Sequence, residues 1–98
     1  DRRFEREGQH LHSRLSIGFT QAALGDTIQV ETVDGDTVPL VIPEGTQSGS
    51  TLRIQKRGVP HHKGRGDLVM HVQVVTPTRL TKQERTLLSE LDLKHRSS

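Results

Sequence analysis

With no cysteine in the chain, any chemistry must come from histidines, hydroxyls, carboxylates or glycine-rich loops. His10 and His12 are two residues apart, which puts both on one face of an extended segment. His61 and His62 are adjacent in a loop-like stretch. Zinc needs three or four ligands at recognisable spacings, and no Asp or Glu joins either pair at such a spacing. All four therefore read as solvated surface histidines. A hydrolytic triad needs a nucleophile, a base and an orienting acid, and no Gly-x-Ser-x-Gly elbow is present. Gly58, Gly64 and Gly66 could suggest a phosphate cradle, but such a loop joins a strand to a helix N-terminus. Here a strand pattern follows, so the segment reads as a connection between strands. The expectation is a non-enzyme with no catalytic residue, no metal ligand and no cofactor.

The elements that would carry any site are mostly strands. Leu11, Leu15, Ile17 and Phe19 fall on odd positions with polar residues between them, the period of a half-buried strand. Phe4 to Gly8, ahead of it, is polar and turn-like. Thr20 to Leu24 makes a helical turn stopped by Gly25. Ile28, Val30 and Thr32 form the next strand, Asp34-Gly35 a tight two-residue hairpin, and Val38, Leu40 and Ile42 the return. Pro43 to Gly49 is a loop. Leu52 and Ile54 make a short strand, Gly58 to Gly66 a second loop, and Leu68, Met70, Val72 and Val74 a long strand closed by Pro77. Thr81-Lys82-Gln83-Glu84 matches a capping box, and Leu87, Leu88 and Leu91 share one face of the helix it opens. This helix is expected to pack on the end of the sheet. The predicted architecture is mainly β, a small two-layer antiparallel β-sandwich with a C-terminal α-helix, over residues 1–93 with a frayed tail at 94–98.

Ninety-eight residues make one domain, and 2% aromatic content leaves an aliphatic core of Val, Leu and Ile. The formal net charge is +2, but the charges are segregated. Residues 26–44 hold acids without Lys or Arg, and residues 53–65 hold Lys and Arg without an acid, so the two stretches should offset each other on one surface. Nucleic-acid binders pair an unbalanced basic face with stacking aromatics; neither feature is present. No apolar run approaches the ~20 residues of a membrane span. A chain without a signal pattern, an initiator Met or a cysteine reads as a cytoplasmic fragment. On residues alone this is a β domain suited to binding, with sheet edges able to take up an extended peptide.

Particular residues go further. Phe4-Glu5-Arg6-Glu7-Gly8 resembles the segment opening the second C-terminal domain of DnaJ-type co-chaperones. Ala22-Ala23-Leu24-Gly25 is similar to that family's short helix and glycine stop, Asp34-Gly35 to its hairpin, and Ile42-Pro43-Glu44-Gly45-Thr46-Gln47-Ser48-Gly49 to its most recognisable loop. Arg53-Ile54, Gly58-Val59-Pro60, Gly66-Asp67-Leu68 and then Pro77 with Leu80-Thr81 follow in the family's order. The likeness spans residues 4–91. Within it, Gly25, Gly45, Gly49 and Gly58 suit backbone conformations that other residues avoid.

The resemblance implies a protein that holds unfolded clients for a DnaK-type ATPase in protein folding and the stress response. This domain would be a scaffold, an auxiliary client surface and a link to dimerisation in a homodimeric parent. It places client contacts beside the first two strands, at Leu11, Leu15, Ile28 and Val30, with Leu11 the most accessible. The family's His-Pro-Asp tripeptide and Cys-x-x-Cys motifs are absent, so contact with the ATPase, and any zinc, belong elsewhere in the parent. The alternative is a structural or ligand-binding β-sandwich with no chaperone role. No nucleic-acid or membrane partner is expected.

Overall fold

A computed structural model describes residues 4–96, with side chains to residue 92. In chain order the elements are β1 (Glu5–Glu7), β2 (His10–Gly18), α1 (Phe19–Leu24), β3 (Asp26–Glu31), β4 (Thr37–Ile42), β5 (Thr51–Ile54), β6 (Pro60–His61), β7 (Gly64–Arg65), β8 (Leu68–Val75) and α2 (Lys82–Arg96).

Period-two patterning builds two layers. The first is a four-stranded sheet ordered β1-β2-β8-β5. Its outer pairs are antiparallel, whereas β2 and β8 run parallel, with Leu11 opposite Leu68 and Leu15 opposite Val72. The second layer is the β3–β4 hairpin, whose register sets Ile28 against Leu40 and Val30 against Val38. The apolar faces meet in a core of Leu11, Val30, Leu40, Leu68 and Met70. A second cluster of Ile17, Ala22, Ile42 and Val72 continues it towards α1. Polar residues occupy most of the opposite face of β2 and β3, which is why alternation predicted this packing, whereas β4 and β8 also carry Val41, Val69 and Val75 there.

Several local readings change. Phe4 to Gly8 is not only a turn: Glu5–Glu7 pairs with β2 as an edge strand, because Gly8 at φ +63 reverses the chain immediately. Phe19 opens α1 instead of ending β2, and it is 38% exposed. The β3–β4 connection is longer than two residues. The Thr32 N–H donates to the Asp36 carbonyl at 2.8 Å and Gly35 N–H to the Thr32 carbonyl at 3.0 Å. Val33, Asp34 and Gly35 thus form a three-residue loop, with Gly35 at φ +88 in the left-handed position this hairpin class requires. The loop after β5 contains the small β6–β7 hairpin.

Helix α2 starts as expected. Thr81 N–H donates to Glu84 Oε1 at 2.7 Å, and Glu84 N–H donates to Thr81 Oγ1 at 3.1 Å. The Thr81 backbone N–H first, and the Thr81 hydroxyl second, hold the Glu84 carboxyl below its ordinary value. Its packing does not follow expectation. Leu87 is 58% exposed, Leu91 is also exposed, and only Leu88 is half-buried. The molecule extends 55 × 27 × 20 Å, so a helix this long leaves most of its apolar stripe uncovered. Its backbone continues through Arg96, across part of the stretch expected to fray; Ser97 and Ser98 lie outside the described residues.

Thr32 is fully buried, and its Oγ1 has no hydrogen-bond partner. A buried unsatisfied hydroxyl costs about 1–3 kcal/mol. Thr32→Val keeps the shape and removes the stranded group, so it should stabilise the chain by about 1 kcal/mol or more. A higher urea midpoint at unchanged m-value would show this; an unmoved or lower midpoint would mean that the hydroxyl is satisfied in solution.

Candidate functional site

The residues singled out from sequence divide into three places. The four proposed client contacts face inward. Leu11 and Val30 are each 7% exposed in the core, and Leu15 and Ile28 pack half-buried between the two clusters. None of the four is fully exposed, and Leu11 is among the least available. Its position at the start of β2 suggested exposure, but Leu68 flanks it in the sheet and its N–H is fixed to the Asp67 carbonyl at 3.0 Å.

The glycine, proline and aspartate motifs form joints between segments. Gly45 and Thr46 N–H groups donate to the carbonyls of Ala23 and Ala22, satisfying the end of α1. The same loop reaches β8 through Gly49 N–H to the Val72 carbonyl at 2.8 Å. Pro43 accepts from Thr46 Oγ1 at 2.6 Å. Gly25, at φ +81, stops α1 beside this loop. A second joint brings together Gln9, Gly58 and Gly66: Val59 N–H donates to the Gln9 carbonyl and Gly58 N–H to the Gly66 carbonyl, both at 2.8 Å. Gly58 is not at positive φ; what its position requires is close backbone approach, since a Cβ there would lie 2.6 Å from the Asp67 and Gln9 carbonyl oxygens. Pro60 lies in β6, and Phe4 packs against the core.

Asp67 organises the adjoining loop. Its carboxylate accepts Lys56 N–H at 3.1 Å and the Arg53 guanidinium at 3.0 Å, and Lys56 holds φ 61 there. The backbone donor first, and Arg53 second, keep the Asp67 carboxyl below its usual range. A depressed folded value means that this contribution is present above the ordinary carboxylate range and is lost as pH falls through the lowered one. Nearby, Asp34 pairs with Arg65 at 2.6 Å and Asp36 with Arg57 at 3.0 Å. These two contacts join the acidic hairpin to the basic loop, as the segregated charges suggested.

The exposed apolar surface lies elsewhere. A cleft of about 530 Å³ opens between the start of α1 and the start of α2. Phe19, Val75, Pro77, Leu80, Leu87 and Leu88 line it. Phe19, Val75 and Leu87 are 38%, 50% and 58% exposed. Contiguous apolar exposure of this kind marks interaction sites. Sequence reasoning assigned Phe19 and the α2 leucines to the core. Their number and spacing were visible, but not that the Thr76–Leu80 link would hold the helix off the sheet. Among the described residues no group of three potential ligands gathers around a point, and no helix is long and apolar enough to cross a membrane.

The family model described as "DnaJ C terminal domain" matches residues 1–77. The chain is 47% identical over 91 residues to Chaperone protein DnaJ of Carboxydothermus hydrogenoformans, covering 91% of this chain and 24% of that protein. It is 48% identical over 95 residues to Chaperone protein DnaJ of Nitratidesulfovibrio vulgaris, covering 95% of this chain and 25% of that one. With the protein of that name from Parasynechococcus marenigrum the figures are 50% over 92 residues, 91% and 24%. The chain thus spans about a quarter of the length of these relatives.

Proposed function

Because the chain belongs to the DnaJ C-terminal domain family, we propose that it serves as the second C-terminal domain of a cytoplasmic co-chaperone, a non-catalytic module that helps to hold unfolded clients for a DnaK-type ATPase. The observation that supports the client role is the apolar cleft lined by Phe19, Val75, Leu80 and Leu87, in which Phe19, Val75 and Leu87 are exposed. The sandwich acts as scaffold, holding this cleft at one end of β2 and β8. The uncovered stripe of α2 supports a link to dimerisation in the parent. Family membership disfavours a ligand-binding sandwich unrelated to chaperones.

A shallow apolar cleft without buried polar anchors binds weakly. We expect a labelled, permanently unfolded client to bind this chain with Kd of roughly 10 µM or weaker, about −7 kcal/mol. Phe19→Ser and Leu87→Ser remove exposed apolar area without opening the core, and each should weaken binding several-fold while circular dichroism stays unchanged. Fluorescence anisotropy titration measures this. Binding undiminished in both variants would remove the cleft from the client role.

A further inference from the structure

The sequence pairs His10 with His12, but the fold brings His12 to His71, 59 residues away. Parallel pairing of β2 and β8 sets His12 beside Val69 and Arg14 beside His71, so the two imidazoles meet diagonally across the central strands of the sheet. His12 Nδ1 and His71 Nε2 lie 2.8 Å apart, and the ring centres are 5.1 Å apart with planes 25° from parallel. At these separations both nitrogens must lie close to the line joining the ring centres, so each ring aims its nitrogen at the other. This is a linear N–H···N hydrogen bond with one proton held between the rings. We infer that the pair is a one-proton clasp on the β2–β8 pairing: under mild acid it takes up a single proton, which tightens it, and it opens only when a second arrives.

Proton counting gives the order of events. Two neutral imidazoles carry two N–H groups. One lies on the shared axis and the other on an outward nitrogen, His12 Nε2 or His71 Nδ1. A first added proton fills the outward nitrogen left bare, whichever ring was donating. The axial bond survives and becomes charge-assisted, roughly twice as strong as the neutral one. A second proton has only the axis left, where two cations would point N–H groups at each other. The surroundings suit one added charge. On β1, Glu5 lies opposite His12 in register, and Glu7 Oε1 is 3.7 Å from His12 Nε2. Arg14 on β2 and Arg6 on β1 offset these carboxylates, and Arg6 is turned to the Gly8 carbonyl at 2.8 Å. On β5, Thr51 is the residue opposite His71, and Arg53 is held by Asp67. His10 has its Nδ1 occupied by the Asp67 N–H at 3.0 Å, and β8 has no titratable residue besides His71. With carboxylates and guanidiniums in balance, one extra charge meets no net repulsion, whereas a second meets the first.

The folded chain gains a bond to the first proton that the unfolded chain lacks, so stability rises as pH falls through the ordinary histidine range, about 6.5. It falls again when the second proton binds. The test is a titration of the nitrogen-15-labelled 98-residue chain from about pH 8 to about pH 5, where histidines titrate and most carboxylates do not. Imidazole nitrogen shifts report the protons. His12 and His71 should move together, and their summed change should equal that of one histidine, with exposed His62 as the standard. His71 is exposed on a strand, a position that suits valine. In His71→Val, His12 should show the full change alone. Between about pH 7.5 and about pH 6, the urea midpoint of the unaltered chain should rise relative to that of His71→Val by about 0.3 M or more. His62→Ala should show the same rise. A full change at both His12 and His71 in the unaltered chain, or a midpoint difference that does not grow on acidification, would overturn the inference.

Discussion

Gly66→Ala should sharply lower the thermal stability of this chain. A Cβ at position 66 would overlap the Gln9 carbonyl oxygen and come within 2.5 Å of Gln9 C. Neither atom can step aside, because that carbonyl already accepts Val59 N–H at 2.8 Å, and Gly66 itself exchanges bonds with Gly58 and Val59. The neighbouring backbone leads directly into β8 through Asp67, whose N–H donates to His10 Nδ1 at 3.0 Å. One methyl therefore separates the turn before β2, the loop after β5 and the entry to β8. Overpacking a core by a methylene costs about 1–3 kcal/mol when side chains can shift; against fixed backbone the loss should exceed about 3 kcal/mol. In a domain of this size that lowers the melting temperature by at least about 12 °C. Gly45→Ala is the control. Position 45 has open space around its Cβ and only a positive φ to oppose it, so its loss should stay near about 1–2 kcal/mol. Similar melting temperatures for the two variants would show that the crossing at Gly66 is not close-packed.

Leu68→Ala should produce the largest loss among core truncations. Leu68 is fully buried. It lies at the meeting point of three strands, opposite Leu11 in β2 and Ile54 in β5, and the β3–β4 layer covers it. Truncating a buried leucine costs about 2–5 kcal/mol, and the upper half of that range applies where neighbours cannot collapse into the cavity. Here the hydrogen-bonded strands on both sides hold the walls apart. The urea midpoint should fall accordingly at unchanged m-value. Leu88→Ala, on the projecting helix and only half-buried, should cost clearly less. Equal losses at 68 and 88 would mean that α2 packs far more tightly than the structure shows.

Strand positions were legible from alternation because each layer buries one face, and the period of two records that directly in Leu11, Leu15 and Ile17 or in Val38, Leu40 and Ile42. The Thr81–Glu84 cap was legible because its chemistry is local. Pairing across the chain was not. Nothing in the sequence near His12 points to His71, and the parallel contact of β2 with β8 depends on the path of everything between them. The role of Gly58 and Gly66 was recognisable only as glycine, since close approach to Gln9 is a fact of three dimensions. The cleft was missed for a related reason. Exposed Phe19 and Leu87 look in sequence like any other core residues, and only the placement of α2 uncovers them.

The most direct test of the central claim is to locate an unfolded client on the isotope-labelled chain by backbone amide shifts. Perturbations gathered at the start of α1, at Val75 to Leu80 and along the first two turns of α2, and lost in Phe19→Ser, are the predicted result. Perturbations confined to β2 and β3 with the cleft silent would contradict it.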